Sequence, residues 1–304
     1  MLHEVFYWAF NMSITATAAG VIVLLLRRIK KIPKQITVCL WWIPFLRMVI
    51  PIGYNSPYSL MSVLHRITTK TVIVYQPKEE VAFSMLNSVR AADTYFPITY
   101  KINRLQTVFT VGAVIWLVGA LAFLLLLLIL YVALLREAKG AMEKQDGIYF
   151  SDTAKTPAVY GIIKPKIILP SFYREKDTTF IVLHEKIHIK RLDNLWRMLA
   201  LMITSVHWFN PMCPLFLKCF FSDLEQACDA CVLSKVGEGK KKEYAKALLM
   251  CKENEKKMIC GFGGAKMRTR IENILSFKKM TWFSCTAFLM WMSVVFYVLL
   301  TNAR

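Results

Sequence analysis

Two histidines stand four residues apart with a glutamate beside the first, in Leu183-His184-Glu185-Lys186-Ile187-His188. On an α-helix, positions i and i+4 project from one face, so His184 and His188 can offer two imidazole nitrogens to a single metal ion. Glu185, on the neighbouring face, can reach a water activated by that metal and act as its general base. The bland alternative is a charged helix that carries two histidines by accident. With only five histidines in 304 residues, two of them in helical phase around a glutamate make that alternative the weaker one. The pattern predicts Zn2+, one ion per chain, and metal-assisted hydrolysis of a peptide bond.

A catalytic zinc takes three protein ligands and keeps one position open. Downstream lies Asp223-Leu224-Glu225-Gln226-Ala227-Cys228-Asp229, in which Glu225 and Asp229 share a helical face. Glu225 is assigned as the third ligand. Asp229 is assigned as the carboxylate that accepts the far N–H of His184, which would hold the ring in one tautomer and raise its basicity. Asp223 and Cys228 are weaker ligand candidates, and His207 is the competing imidazole. A solvated acidic face is disfavoured because Leu224, Ala227, Val232 and Leu233 make the surrounding helix apolar. Cys228-x-x-Cys231 looks like half of a zinc knuckle, but no second pair follows at a suitable spacing, so free helix cysteines are the preferred reading.

The elements that must position these residues follow from pattern and punctuation. The motif helix is expected from residue 176 or 177 to 191, with Asp177-Thr178-Thr179 supplying its N-cap. Short β-like pieces precede it at 147–151, 157–162 and 166–169, broken by Gly161, Pro165 and Pro170. The middle piece, with Tyr160, Gly161 and Ile162, is the expected edge strand that could hold an extended substrate by β-augmentation; a purely structural ribbon is the equal alternative. An apolar stretch at 195–209 is too short to span a bilayer. Asn210-Pro211 marks a turn, and helices are expected at 212–236 and 243–256 around a charged loop at 238–242. Gly261-Phe262-Gly263-Gly264 then leads into the basic stretch 266–279. No residue is picked out by spacing as an oxyanion donor, and Tyr244 and His207 are the only two named for that role.

The apolar fraction of 56% and mean hydropathy of +0.42 exceed those of an ordinary soluble protein. Residues 5–26, 108–135 and 281–300 are runs long and apolar enough to span. A fourth segment, 36–53, contains Arg47, Pro44 and Pro51 and reads as a spanning helix with an irregular end, with a re-entrant segment as the alternative. The first run has no basic residues ahead of it and no small-residue cleavage site, so it reads as a retained anchor. The loop from Arg27 to Lys34 is purely basic, and residues 136–280 are basic by about +10. By the positive-inside rule both face the cytoplasm, leaving the N-terminus, an outer loop at 54–105 and the C-terminus outside. The net charge of +19 is therefore a topology signal. Direct nucleic-acid binding is not expected, since no stacking aromatics interleave the lysines. None of the eight cysteines falls in the outer loop, which excludes a disulfide framework there.

Taken in order, several features resemble one group of proteins. They are Thr156-Pro157 with Gly161, Pro165 and Ile168-Leu169-Pro170, then His184-Glu185-x-x-His188 with Lys190-Arg191-x-Asp193. After these come His207-Trp208-Phe209-Asn210-Pro211, Asp223-x-Glu225-x-x-Cys228-Asp229 and Arg270-Ile271-x-Asn273-Ile274-Leu275. The sequence resembles the Bla/Mec-type antibiotic-receptor metallopeptidases over nearly its whole length. The resemblance implies a mainly α membrane protein of about four transmembrane helices. A cytoplasmic α+β zincin-like domain of the gluzincin type, residues 136–280, would be inserted between the membrane region 1–135 and the C-terminal helix 281–304. It implies His184, His188 and Glu225 as zinc ligands and Glu185 as base, in a bacterial cell-membrane protease switched by an external signal. Its implied partners are the bilayer, a cytoplasmic repressor-type protein as substrate, the chain itself as a second substrate, and a homodimer mate. Ser276 and Phe277, in the basic stretch, are the expected self-cleavage region by analogy; a positive-inside anchor is the alternative. Those receptors carry a penicillin-binding domain after the last membrane helix, whereas this sequence ends at Arg304 without a serine acylation motif, so antibiotic sensing by this chain alone is not expected. Two other readings remain: a membrane quality-control or prenyl-protein-type zinc peptidase, and a non-catalytic membrane receptor with structural zinc.

Overall fold

A computed structural model of the chain describes residues 2–29, 32–50, 56–60, 62, 104–145, 147–154, 156–175, 177–253, 267–279 and 281–301. Most of the expected outer loop, the glycine link 261–264 and Cys260 lie outside the described residues. Helix α1 (Leu2–Arg27) is followed by α2 (Lys34–Leu40), α3 (Trp42–Val49) and α4 (Arg104–Lys139). Four strands come next: β1 (Met142–Gln145), β2 (Ile148–Ser151), β3 (Ala158–Tyr160) and β4 (Lys166–Pro170). The remaining helices are α5 (Thr179–Lys190), α6 (Asp193–Val206), α7 (Met212–Val236), α8 (Lys241–Glu253), α9 (Met267–Leu275) and α10 (Trp282–Leu300).

Three of these are long and apolar enough to cross a membrane: α1, the part of α4 from Thr107 to Arg136, and α10. The segment expected as a fourth span is two short helices joined at Trp41. Pro44 explains the joint, because its nitrogen has no proton for the Leu40 carbonyl and its ring crowds that turn. Leu40, Trp41, Ile43, Phe45 and Met48 are nevertheless fully buried. The buried Arg47 donates from Nη1 to the Leu300 carbonyl at 3.1 Å and from Nη2 to that of Thr301 at 3.2 Å. It thereby satisfies carbonyls that the end of α10 leaves unbonded, and its charge complements that end of the helix dipole. At the other end Lys34 and Thr281 border one cavity, so the α2–α3 pair runs beside α10 along its length.

The strands form one sheet in the order β1-β2-β4-β3. Strand β1 pairs antiparallel with β2 around Gly147, whose φ of +75° suits glycine. Strand β2 runs parallel to β4, and β3 returns antiparallel along the outer edge of β4. Helix α4 runs past the apolar run at 108–135 and stops at Lys139, and β1 takes the following residues because β2 offers them a pairing edge. Phe150, Ile167 and Leu169 bind the sheet to Ile181 and Val182 of α5. The start of α5 is tied by Asp177, whose carboxylate accepts from the Thr179 backbone N–H at 2.9 Å and from its hydroxyl at 2.6 Å.

Helix α7 joins two cores. Its first half, with Cys213, Phe216, Leu217 and Phe220, packs on Ala16 and Ala19 of α1 and on Trp41 and Phe45. Its second half, with Cys228, Val232 and Leu233, packs on Ile187, Tyr244, Leu248 and Ile274 of α5, α8 and α9. The first contact depends on Gly20: a Cβ there would lie 2.2 Å from Cζ of Phe216. Gly20→Val is therefore expected to lower the unfolding midpoint in detergent, at a cost of about 1–3 kcal/mol for an overpacked core. Gly239→Ala, where a Cβ meets nothing within 4 Å, should leave it unchanged. Equal melting of the two variants would refute the close packing of α1 on α7.

Candidate metal centre

Helix α5 carries His184 and His188 on one buried face, with ring planes at 85° and Nε2 atoms 3.0 Å apart. The other nitrogen of each ring is held from behind. Nδ1 of His188 lies 2.7 Å from the Asp193 carboxylate, an acceptor, so this nitrogen carries the proton. Nδ1 of His184 lies 2.8 Å from the Tyr244 hydroxyl, which itself donates to Asp229 Oδ1 at 2.7 Å. That hydroxyl therefore accepts from Nδ1–H of His184. The two Nε2 atoms face each other at hydrogen-bonding distance, an arrangement that calls for a proton or a metal cation between them.

The remaining donors come from α7. Glu225 places Oε2 3.6 Å from Nε2 of His184 and Oε1 3.7 Å from Nε2 of His188. The Cys228 thiol is also close: one ligand atom from each of His184, His188 and Cys228 fit within 4.8 Å of one another. Its Sγ additionally contacts the His184 carbonyl at 3.5 Å. Arg197 pairs with Glu225 Oε1, and Arg270 approaches Oε2 at 3.4 Å while gripping Asp229 with two bonds of 2.8 Å.

The electrostatics follow from this crowding. Burial by itself would lower the His188 pKa, but Glu225, Asp193 and Cys228 outweigh it and raise it to about 9. At His184 burial is likewise overcome, by Cys228, Glu225 and Asp229, and the ring is pushed well above the usual imidazole range. Burial would raise the Glu225 carboxyl, yet His188, His184, Arg270 and Arg197 hold it well below the usual carboxylate range. The site therefore favours positive charge at the two Nε2 atoms. A divalent cation fits this donor set of imidazole, carboxylate and thiol.

A cavity of about 240 Å³ opens onto these groups. Its walls include His184, Glu185, His188, Glu225, Arg197 and Arg270, with residues 156–159 of the sheet edge on one side. Asn194 braces that edge, donating to the carbonyls of Val159 at 2.8 Å and Gly161 at 3.2 Å.

Among known proteins, the model of the BlaR1 peptidase M56 family matches residues 7–274. The chain belongs to the BlaR1 peptidase M56 family. A methicillin resistance mecR1 protein of Staphylococcus aureus is 29% identical over 113 residues, 36% of this chain and 19% of that protein. Regulatory protein BlaR1 of Bacillus licheniformis is 31% identical over 102 residues, 33% of this chain and 17% of the relative. Regulatory protein BlaR1 of Staphylococcus aureus is 24% identical over 187 residues, 54% of this chain and 32% of the relative. The chain thus spans under a third of the length of each. Family membership and the three apolar helices make this a membrane protein of a signal-transducing peptidase family.

Within that family frame, the structure brings His184, Glu185, His188 and Glu225 together at one cavity. Asp229 lies 3.5 Å from Nδ1 of His184, but the nearer partner is Tyr244, which stands between them. Tyr244 is thereby engaged behind the ring, where it cannot serve an oxyanion in the cavity. His207 and Asp223 are elsewhere: His207 bonds the Ile203 carbonyl at the end of α6, and Asp223 binds Arg27 and Trp41 at 2.7 and 2.8 Å. Tyr160, Gly161 and Ile162 do not line the cavity; 156–159, just before them, do. Ser276 and Phe277 line a different cavity, which does not include His184, His188 or Glu225. The seven described cysteines are all free.

Sequence reasoning missed Asp193, Arg197 and Arg270 as supports of the site. Asp193 depends on Leu192, whose left-handed φ of 56° turns the chain so that α6 begins beneath His188. Arg197 had a signal, as a charge interrupting an apolar helix. Asp193→Asn and Tyr244→Phe are each expected to weaken zinc binding about 10- to 100-fold, measured by competition with a chromophoric chelator. Unchanged affinity in both would show that the Nδ1 bonds do not support the metal. The raised His188 pKa also gives a sign: below about pH 9 the metal must displace a proton. Apparent zinc affinity should therefore rise between pH 6 and about 9, and an uptake curve that is flat over that range would contradict the assignment.

Proposed function

We propose that this chain is a membrane-embedded zinc endopeptidase of bacterial signal transduction, with His184, His188 and Glu225 as the zinc ligands and Glu185 as general base. The observation that carries this reading is the pair of Nε2 lone pairs turned toward Glu225 at the mouth of a cavity that Glu185 also lines. Zinc supplies a Lewis acid that makes water acidic near neutral pH and polarises a peptide carbonyl. Glu185 takes the proton of the attacking water on its carboxylate and returns it to the departing amine. Asp193 and Tyr244 keep both imidazoles in the ligating tautomer, and Arg197 and Arg270 keep Glu225 ionised. The edge at 156–159 takes an extended peptide as an added strand, with Asn194 holding that edge in place.

The substrates proposed are a cytoplasmic repressor-type protein and the chain itself. In the proposed topology α1, the broken α2–α3 pair, α4 and α10 make four crossings. The ends of α1, α4 and α10 that adjoin the catalytic elements face the cytoplasm, consistent with the basic loop after α1. The Arg47 contact with the end of α10 supports the fourth crossing.

One observation favours a second reading. The Cys228 thiol groups with His184 and His188 within 4.8 Å and so offers a ligand set without Glu225, as for a zinc that serves structure in a non-catalytic receptor. Both readings are separated by incubating the purified protein with its candidate repressor beside Glu185→Gln, with zinc quantified in each. Cleavage by the parent and a loss of about 10²- to 10⁴-fold in the variant, at one zinc per chain in both, is the expected result. Equal cleavage by the variant would remove Glu185 as base; zinc present with signalling unaffected by the substitution would favour the receptor.

A further inference from the structure

A second cavity, of about 590 Å³, lies along the face of α7 that carries Gln226, Asp229, Ala230 and Leu233. It is enclosed by the loop into α2, by α7, and by the junction between α9 and α10. Three lysines line it: Lys34, Lys278 and Lys279. None of their ammonium groups forms an ion pair among the described residues, though Lys278 helps to hold down the Glu238 carboxyl, and the nearby acids are already engaged. Asp229, the one carboxylate in the lining, is held by Arg270 at 2.8 Å and by Tyr244 at 2.7 Å. Asp223, whose charge is felt at Lys34, is bonded by Arg27 and Trp41. Glu238 accepts from Lys241 at 3.1 Å and from the Lys279 backbone N–H at 2.8 Å. The cavity therefore carries uncompensated positive charge.

Its other lining groups are of two kinds. Gln35, Asn273, Thr281 and Ser284 offer polar hydrogens, whereas Ile32, Leu233, Phe277 and Phe288 offer apolar surface. Its position explains the mixture. One wall is the segment just after α1 and the other is the first two turns of α10, so the cavity sits where two membrane-crossing helices end on the same side. Phe288, within the apolar helix, lies toward the bilayer interior, and the lysines lie at the polar end. A ligand matching that gradient has a phosphate at one end and an acyl chain at the other. Basic pockets between membrane helices on the cytoplasmic side are suited to anionic lipid headgroups.

We infer that this cavity is a binding site for an anionic phospholipid, its phosphate held by Lys34, Lys278 and Lys279 and its acyl chain leaving past Phe288. The lipid would tie the loop before α2 to the start of α10. The site does not depend on the peptidase reading, because none of the three lysines touches the metal centre.

The test uses the full chain in neutral-lipid nanodiscs, titrated with phosphatidylglycerol or phosphatidylcholine and read by native mass spectrometry. Retention of phosphatidylglycerol but not of added phosphatidylcholine is expected. A Lys34→Gln/Lys278→Gln/Lys279→Gln variant should retain it at least about tenfold less, and the Lys→Arg counterpart should recover it. Equal retention by the glutamine variant, or equal retention of the two lipids, overturns the site. Millimolar glycerol 3-phosphate should leave the bound lipid in place; its displacement would instead indicate a site for soluble phosphates. A measurement on the unaltered protein guards against misfolding of the variants. A photo-crosslinkable phosphatidylglycerol should label peptides containing residues 32–35 and 281–288, and labelling confined to other regions would refute the proposal.

Discussion

Two imidazole lone pairs held 3.0 Å apart in a buried place repel unless something positive lies between them, and the surrounding structure is arranged around that demand. Each ring is fixed by an acceptor on Nδ1, so neither can rotate away from the other. The acceptors come from different helices: Asp193 from the start of α6, and Tyr244 from α8 with Asp229 of α7 behind it. Glu225 adds negative charge on the open side, and two arginines from α6 and α9 keep it from being lost to protonation. Five helices are thus committed to one small volume of charge. A charge cluster of this kind is stable only when every member is paired, which ties the packing of α5 through α9 to the metal centre.

Helix α7 carries the consequence outward. Its first half is covered by membrane-region helices, through Phe216 on Gly20 and Phe220 on Phe45. Its second half supplies Glu225, Cys228 and Asp229. Between the halves, Asp223 bonds Arg27 at the end of α1 and Trp41 at the joint of α2 and α3. A displacement of α1 or of that joint would therefore reach α7 within one turn of Glu225. A rigid helix shared by two cores is a physical route by which membrane-region geometry and metal-site geometry become linked, because a packed helix shifts as a unit.

Much of the arrangement was legible in the residues. The bounds of α7 agree with the expected helix at 212–236, since Asn210-Pro211 begins it and Gly237 ends it. The i, i+4 spacing of His184 and His188 suffices to place both on one face of α5. The three long apolar runs are helices because backbone polar groups in hydrocarbon must bond within their own segment. Residues 36–53, read as a spanning helix with an irregular end, form two short helices instead, and Pro44 carries the physical reason for that break. The strand β1 was not legible, because a short polar piece such as Met142–Gln145 has no pattern of its own and becomes a strand only through its pairing with β2.

What the sequence by itself determined is the set of chemical groups: two imidazoles, a glutamate between them, a carboxylate on a later helix, and apolar helices on either side. These depend on residue type and local period. What only the tertiary structure decided is the support of that chemistry. Asp193 reaches His188 through the left-handed turn at Leu192, and Arg270 reaches Asp229 across 41 positions of chain. Tyr244 comes between His184 and the aspartate that spacing alone had paired with it. Such contacts join separate elements, and their partners are set by how helices pack rather than by any periodicity within one of them.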